Sequence, residues 1–126
     1  MNAWRTAWLP REATNRSPGG ASEIRQVIQL PQGQVTHAVC AAGNVAEAAV
    51  LPERYEMFYV LAGAGELWRR APHGEEIVSL RPGRTVEIPM GTEFQYRALD
   101  ADVMFLVIVT PMWTPDAYQS LPGAGP

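Results

Sequence analysis

The sequence predicts an all-β domain, and three observations carry that reading. Short extended segments recur at regular intervals, Gly- and Pro-rich turns separate them, and no long stretch keeps a helical period. The segments are EIRQVIQL (23–30), QVTHAVC (34–40), VAEAAVL (45–51), EMFYVLAG (56–63), GELWRRA (65–71), EEIVSL (75–80), TVEIP (85–89), EFQYRAL (93–99) and VMFLVIVT (103–110). LPQG, AAGN, LPER, APHG, RPGR and LDAD stand between most of them. Such spacing fits a sandwich or a barrel.

The bulk composition agrees. A chain of 126 residues suits one domain with a modest core. With 47% apolar and 18% charged residues it can bury that core and is not a disordered composition. Acids and bases are interspersed at a net charge of −3, so no basic stripe invites a nucleic acid. The run VMFLVIV (103–109) is too short to cross a bilayer, and MNAWRTAWLPRE lacks the apolar stretch of a secretory signal; a cytoplasmic protein without a membrane partner is expected. Cys40 is the only cysteine, so neither a disulfide nor a cysteine metal cluster is available, and its expected role is that of a small apolar filler. RSPGG (16–20) closes a lead-in over 1–20, read as flexible or strand-exchanging. The barrel is expected over 21–113, and a Pro- and Gly-rich tail over 114–126 packs Trp113 and Tyr118 on its surface.

Two partial motifs then resemble the cupin superfamily. Glu56 is followed by six residues and Gly63, as in the second half of the first cupin motif, with Pro52 just upstream. Gly83, Pro89 and Gly91, in GRTVEIPMG, have the spacing of the second. The resemblance implies a double-stranded β-helix, or jelly-roll, barrel. It also places Ala49 and Leu51 where that family carries two metal-binding histidines, and Phe94 where it carries a third. SEIR (22–25), AGELWRR (64–70), GTEFQYR (91–97) and VTPMW (109–113) further resemble a group of small single-domain bacterial cupins that share the phenylalanine. That group often carries a histidine at the place of His37.

A cupin metal needs imidazoles converging with a carboxylate, and the chain has two histidines, one of them (His73) in the turn APHG. No metal and no cofactor are therefore expected, and a residual metal site built on Glu56 and His37 ranks last. Strand alternation makes the barrel mouth an apolar pocket: Glu56 carries Phe58 and Val60 inward, Phe94 carries Tyr96, and Leu51 carries Ala49 and Glu47 unless a bulge intervenes. Burial in such a place raises a carboxyl pKa, so Glu56 is the candidate general acid or base. Its alternative is an ion pair with Arg25, Arg54 or Arg97 that only orders the barrel.

His37, on one face with Val35 and Val39, is either a core histidine or the second member of an acid–base pair. Tyr96 is a candidate proton donor or substrate hydrogen-bond partner, and Arg25 a candidate anion-binding group. Leu51, Phe58, Val60, Phe94, Glu47 and Arg25 are the expected substrate contacts. The functional expectation is a metal-independent dehydratase, isomerase, epimerase or cyclase for a small natural-product or sugar-like molecule. The alternative is a non-catalytic carrier or sensor. By resemblance to small cupins, a homodimer is expected, with the tryptophan-bearing N-terminal segment against a partner.

Overall fold

The computed structural model describes residues 4–126. Eleven strands and one short 3-10 turn follow in order: β1 (Asn15–Arg16), β2 (Ser22–Leu30), β3 (Gly33–Cys40), β4 (Ala49–Val50), β5 (Tyr55–Ala62), β6 (Gly65–Ala71), β7 (Gly74–Leu80), β8 (Thr85–Ile88), β9 (Glu93–Ala98), β10 (Val103–Thr110), the turn Pro115–Ala117, and β11 (Gln119–Ser120). They form two antiparallel sheets. One runs β1-β2-β3-β10-β5-β8 and the other β11-β4-β9-β6-β7. No helix among the described residues is long and apolar enough to cross a membrane.

The strands form where the sequence alternates. Along β5, Glu56, Phe58 and Val60 are buried, while Tyr55, Met57 and Tyr59 face out. The same period brings Phe94, Tyr96 and Ala98 of β9 inward. One core cluster collects the inner faces of both sheets, with Leu67, Leu80 and Val103 completely covered. Four rings lock its centre: Phe58 stacks on Phe105 at 4.5 Å between centroids, and the edges of Tyr96 and Phe94 meet Phe58 at 5.7 and 6.3 Å. Such ring pairs add stability beyond their buried area.

Three expectations are revised by the pairing. VAEAAVL keeps only two strand residues, because Ala46 and Ala49 both enter the core. Three residues apart is the wrong parity for one continuous strand, so the chain changes face between them. RSPGG is a closed turn that brings β1 onto β2, its Gly20 amide bonding the Ser17 carbonyl at 2.8 Å. The tail, too, adds a strand, with Gln119 and Ser120 opposite Val50 and Ala49. Strand pairing thus reaches into both flanks of the 21–113 span. Of the N-terminal segment, residues 1–3 lie outside the described residues, and Trp4 and Trp8 are 96% and 93% exposed.

Gly63 shows how tightly the hairpins are built. Its φ is +88°, and an added Cβ would overlap the Asp102 carbonyl. Gly83 has nearly the same φ, +87°, but open space around it. The backbone cost of alanine, about 1–3 kcal/mol, is therefore common to both, and only Gly63 adds a clash with main chain. Gly63→Ala is expected to lose clearly more stability than Gly83→Ala in urea unfolding; equal losses would contradict the packing at Asp102.

Candidate functional site

A cavity of about 270 Å³ opens at one end of the barrel. The pairing of β10 dictates its floor. Val109 stands between Gln34 of β3 and Glu56 of β5, and Val107 stands between Thr36 and Phe58. Side chains at paired positions point to the same face of a sheet. Gln34, Val109 and Glu56 therefore form one inward row, and Thr36, Val107 and Phe58 the next. In the register that β2 keeps from Ser22 onward, Gln26 stands opposite Thr36 and so points inward with Ile24. The second sheet closes the space with Phe94, Tyr96 and the adjoining Leu51. Two segments frame the mouth: Asn15–Pro18 on one side, Trp113 and Tyr118 on the other.

Glu56 is the most unusual group in this wall. It is 7% exposed, and its Oε2 is buried without a hydrogen-bond partner among the described residues. Removal from water disfavours the ionised form, and its carboxyl is pushed up to about 8 from 4.5. The ion pairs considered from the sequence do not form. Arg25 donates to the Arg11 carbonyl, Arg54 to the Met112 carbonyl, and Arg97 to Glu66 at 3.0 Å. Tyr96 also lines the cavity; its hydroxyl lies 2.7 Å from that of the fully buried Ser22. Burial is the main cause that pushes the Tyr96 phenol up to about 12, with the Glu56 charge a lesser contribution. The Tyr118 phenol is raised as well, by burial first and then by the Glu47 carboxylate.

The structure brings together Glu56, Tyr96, Leu51, Phe58 and Phe94. It separates the rest. His37 is a correction: it pairs with Arg25 and Leu106, and its neighbours Thr36 and Ala38 are the ones lining the cavity. Alternation puts His37 on the opposite face of the sheet, with Val35 and Val39. It cannot share a ligand with Glu56 there. Its Nδ1 is buried without a partner, and burial, then the Arg25 guanidinium, hold its imidazole below the ordinary value. Arg25 shares that outer face and reaches no pocket anion.

Glu47 is displaced by the parity change before β4. It accepts a hydrogen bond from Ser120 and packs against Gly19, so it ties the two mouth segments to the barrel. Val60 is fully buried on the inner face of β5 but is not part of the cavity wall. Three polar residues of the wall, Gln26, Gln34 and Thr36, have no forecast in the sequence reading; in a strand with both faces largely covered, polarity alone does not identify the solvent side.

The donor set does not fit the metal of the motif. Ala49, Leu51 and Phe94 offer no ligand atom, His37 faces away, and no three His, Cys, Asp or Glu side chains converge among the described residues.

Solved structures share this architecture. KdgF from Halomonas sp. superposes with a TM-score of 0.67 at 21% identity, covering 76% of this chain and 83% of that one. The capsular polysaccharide assembling protein CapF from Staphylococcus aureus gives 0.69 at 20% identity, over 92% of this chain and 34% of that one. A variant of oxalate decarboxylase from Bacillus subtilis gives 0.81 at 14% identity, over 96% of this chain and 33% of that one. The chain has the cupin fold. It spans about a third of CapF and of oxalate decarboxylase. No family model matches the sequence, and no curated protein matches it.

The Glu56 shift makes a stability prediction. Between about 4.5 and about 8 the folded chain holds a proton at Glu56 that the unfolded chain has released. Stability must then fall as pH rises through that window and level off above it. Glu56→Gln is expected to flatten the fall and to gain stability over the wild type at about pH 9, while differing little at about pH 4. Urea unfolding at both values checks this; parallel pH curves for the two proteins would rule out the raised carboxyl.

Proposed function

We propose that the protein is a metal-independent acid–base enzyme of the cytoplasm, a lyase or isomerase acting on a small natural-product or sugar-like molecule in the barrel cavity. The observation that carries this reading is the Glu56 carboxyl. It is buried, aimed into a largely apolar cavity, without a partner on Oε2, and raised to a value at which it both gives and takes a proton near neutral pH. The scaffold supports it: the fold is shared with oxalate decarboxylase, an enzyme, and with a protein of capsular polysaccharide assembly.

Glu56 alone can run such a reaction. In a dehydration, the carboxylic acid gives its proton to a departing hydroxyl, which leaves as water. The carboxylate then removes a proton from the neighbouring carbon as the double bond forms, and the acid is restored. Tyr96 keeps its proton throughout, because its phenol is raised to about 12; its role is to hold a substrate oxygen. Leu51, Phe58 and Phe94 exclude water and shape the apolar side. His37 has no part in the chemistry.

Glu56→Gln separates this reading from a carrier or sensor. For a compound that the wild type consumes from a metabolite mixture, followed by mass spectrometry, turnover is expected to fall by roughly 10²–10⁴-fold. Affinity should stay within about threefold, since glutamine keeps shape and polarity. A protein that binds but converts nothing, and whose variant changes only affinity, is the binding module.

A homodimer through the outer face of the β1-to-β8 sheet belongs to the same proposal. Tyr55, Met57, Tyr59 and Leu61 leave about two-fifths of their surface exposed along β5, and the partnerless Nδ1 of His37 lies on the same face. Light scattering is expected to give twice the 13.8 kDa of one chain. A single-chain mass would remove this partner.

A further inference from the structure

The cavity contains a second partnerless polar atom, and its position relative to Glu56 constrains the ligand. The carboxamide oxygen Oε1 of Gln26 is buried without a hydrogen bond, as is Oε2 of Glu56, and both residues line the cavity. Gln26 lies on β2 and Glu56 on β5, with β3 and β10 between them. Three strand spacings of ~4.8 Å separate them along the sheet, less across the barrel because the sheet curves. Between them the floor is apolar: Val107, Val109 and the Phe58 and Phe105 rings. The two oxygens thus reach the cavity from strands three positions apart.

The charges in the wall add a second constraint. Among the described residues, Arg16 and Glu56 are its only ionisable side chains apart from the two phenols. Arg16 lies exposed at the rim, donating to the Gly20 carbonyl at 3.1 Å. Inside, the groups facing Glu56 are the carboxamides of Gln26 and Gln34, the Thr36 hydroxyl and the phenols of Tyr96 and Tyr118. A carboxylate or phosphate entering this space would meet no buried cation. A buried ammonium ion would have to lose its water for one carboxyl that burial already keeps neutral at pH 7.

We infer that the cavity selects an uncharged, largely apolar molecule with two polar ends, a hydrogen-bond donor for Gln26 Oε1 and a hydroxyl-type group, able both to donate and to accept, for the Glu56 carboxyl. This rests on the pocket reading given under the proposed function and adds Gln26 as a specificity-determining residue. At about 270 Å³ the space is just below the usual range for drug-sized ligands, roughly 300–1,000 Å³, which fits a one- or two-ring body. The Phe58, Phe94 and Phe105 rings and Trp113 supply the matching apolar walls. The unpaired oxygens explain the preference: a ligand lacking either polar end leaves one buried oxygen unsatisfied, and a polar site rejects such analogues strongly.

Titration calorimetry with four naphthalene probes tests this: a diol with hydroxyls at opposite ends, the mono-ol, the corresponding hydroxy-carboxylate, and the aminomethyl naphthol. The diol is expected to bind roughly tenfold more tightly than the mono-ol and at least as far ahead of both charged probes. Gln26→Met should bring the diol down to the mono-ol's affinity while leaving the mono-ol unchanged. A carboxylate or amine that binds as well as the diol overturns the inference, as does a Gln26→Met effect equal for diol and mono-ol. In either case binding itself persists, so the pocket reading stands and only the ligand class falls. Four probes with no heat of binding even at millimolar concentration would take down both.

Discussion

The cavity depends on the register of β10. That strand hydrogen-bonds to β3 on one side and β5 on the other, and through Val109 it draws Gln34 and Glu56 into one row. A shift of β10 by a single residue would turn Phe105, Val107 and Val109 to the outer face and bring Leu106 and Ile108 inward in their place. Everything chemical about the inner wall follows from this pairing. The Phe58–Phe105 stack holds it, since the two rings come from adjacent strands and fit only when the rows are aligned.

Burying a carboxyl without a partner costs stability, and this fold tolerates the cost in a particular way. Glu56 lies on a strand whose inner neighbours are Phe58 and Val60, so one polar group is carried by a well-packed stretch. Its proton lowers the cost at neutral pH, because a neutral carboxylic acid is far less expensive to bury than a carboxylate. A purely structural acid would be expected to find a cation, and Arg25, Arg54 and Arg97 all bond elsewhere. The arrangement resembles a stored preference for a ligand more than a stabilising contact.

Much of this was legible in the sequence, for reasons that differ between residues. The boundaries of GELWRRA and VMFLVIVT coincide with β6 and β10, because turn glycines and clean alternation mark them on both sides. Period two paired Phe58 with Glu56 and Tyr96 with Phe94, and the motif resemblance supplied which of the two faces is inward. His37 was harder. Its strand reads QVTHAVC, with Gln34, Thr36, His37, Ala38 and Cys40 all buried, so neither parity stands out as the core side. The sequence leaves His37 either in the core or beside Glu56, whereas in the structure Ala38 and Cys40 set the core side. Glu47 failed for another reason: the chain changes face between Ala46 and Ala49, and nothing in VAEAAVL marks where. Gln26 is a polar residue on the inner face of β2, and a register shift just after it breaks the alternation of EIRQVIQL that would have marked that face.

The mouth of the cavity is made differently from its floor. The floor belongs to long paired strands, where any change of shape propagates through neighbouring rows. The mouth belongs to short segments, Asn15–Pro18 and Trp113–Tyr118, that touch the barrel at a few points, Glu47 among them. Substitution there leaves the ladders intact. The carboxyl of Glu56 and the carboxamide of Gln26 are thus held by the ladders, while the opening above them is shaped by segments that can drift without rebuilding the barrel.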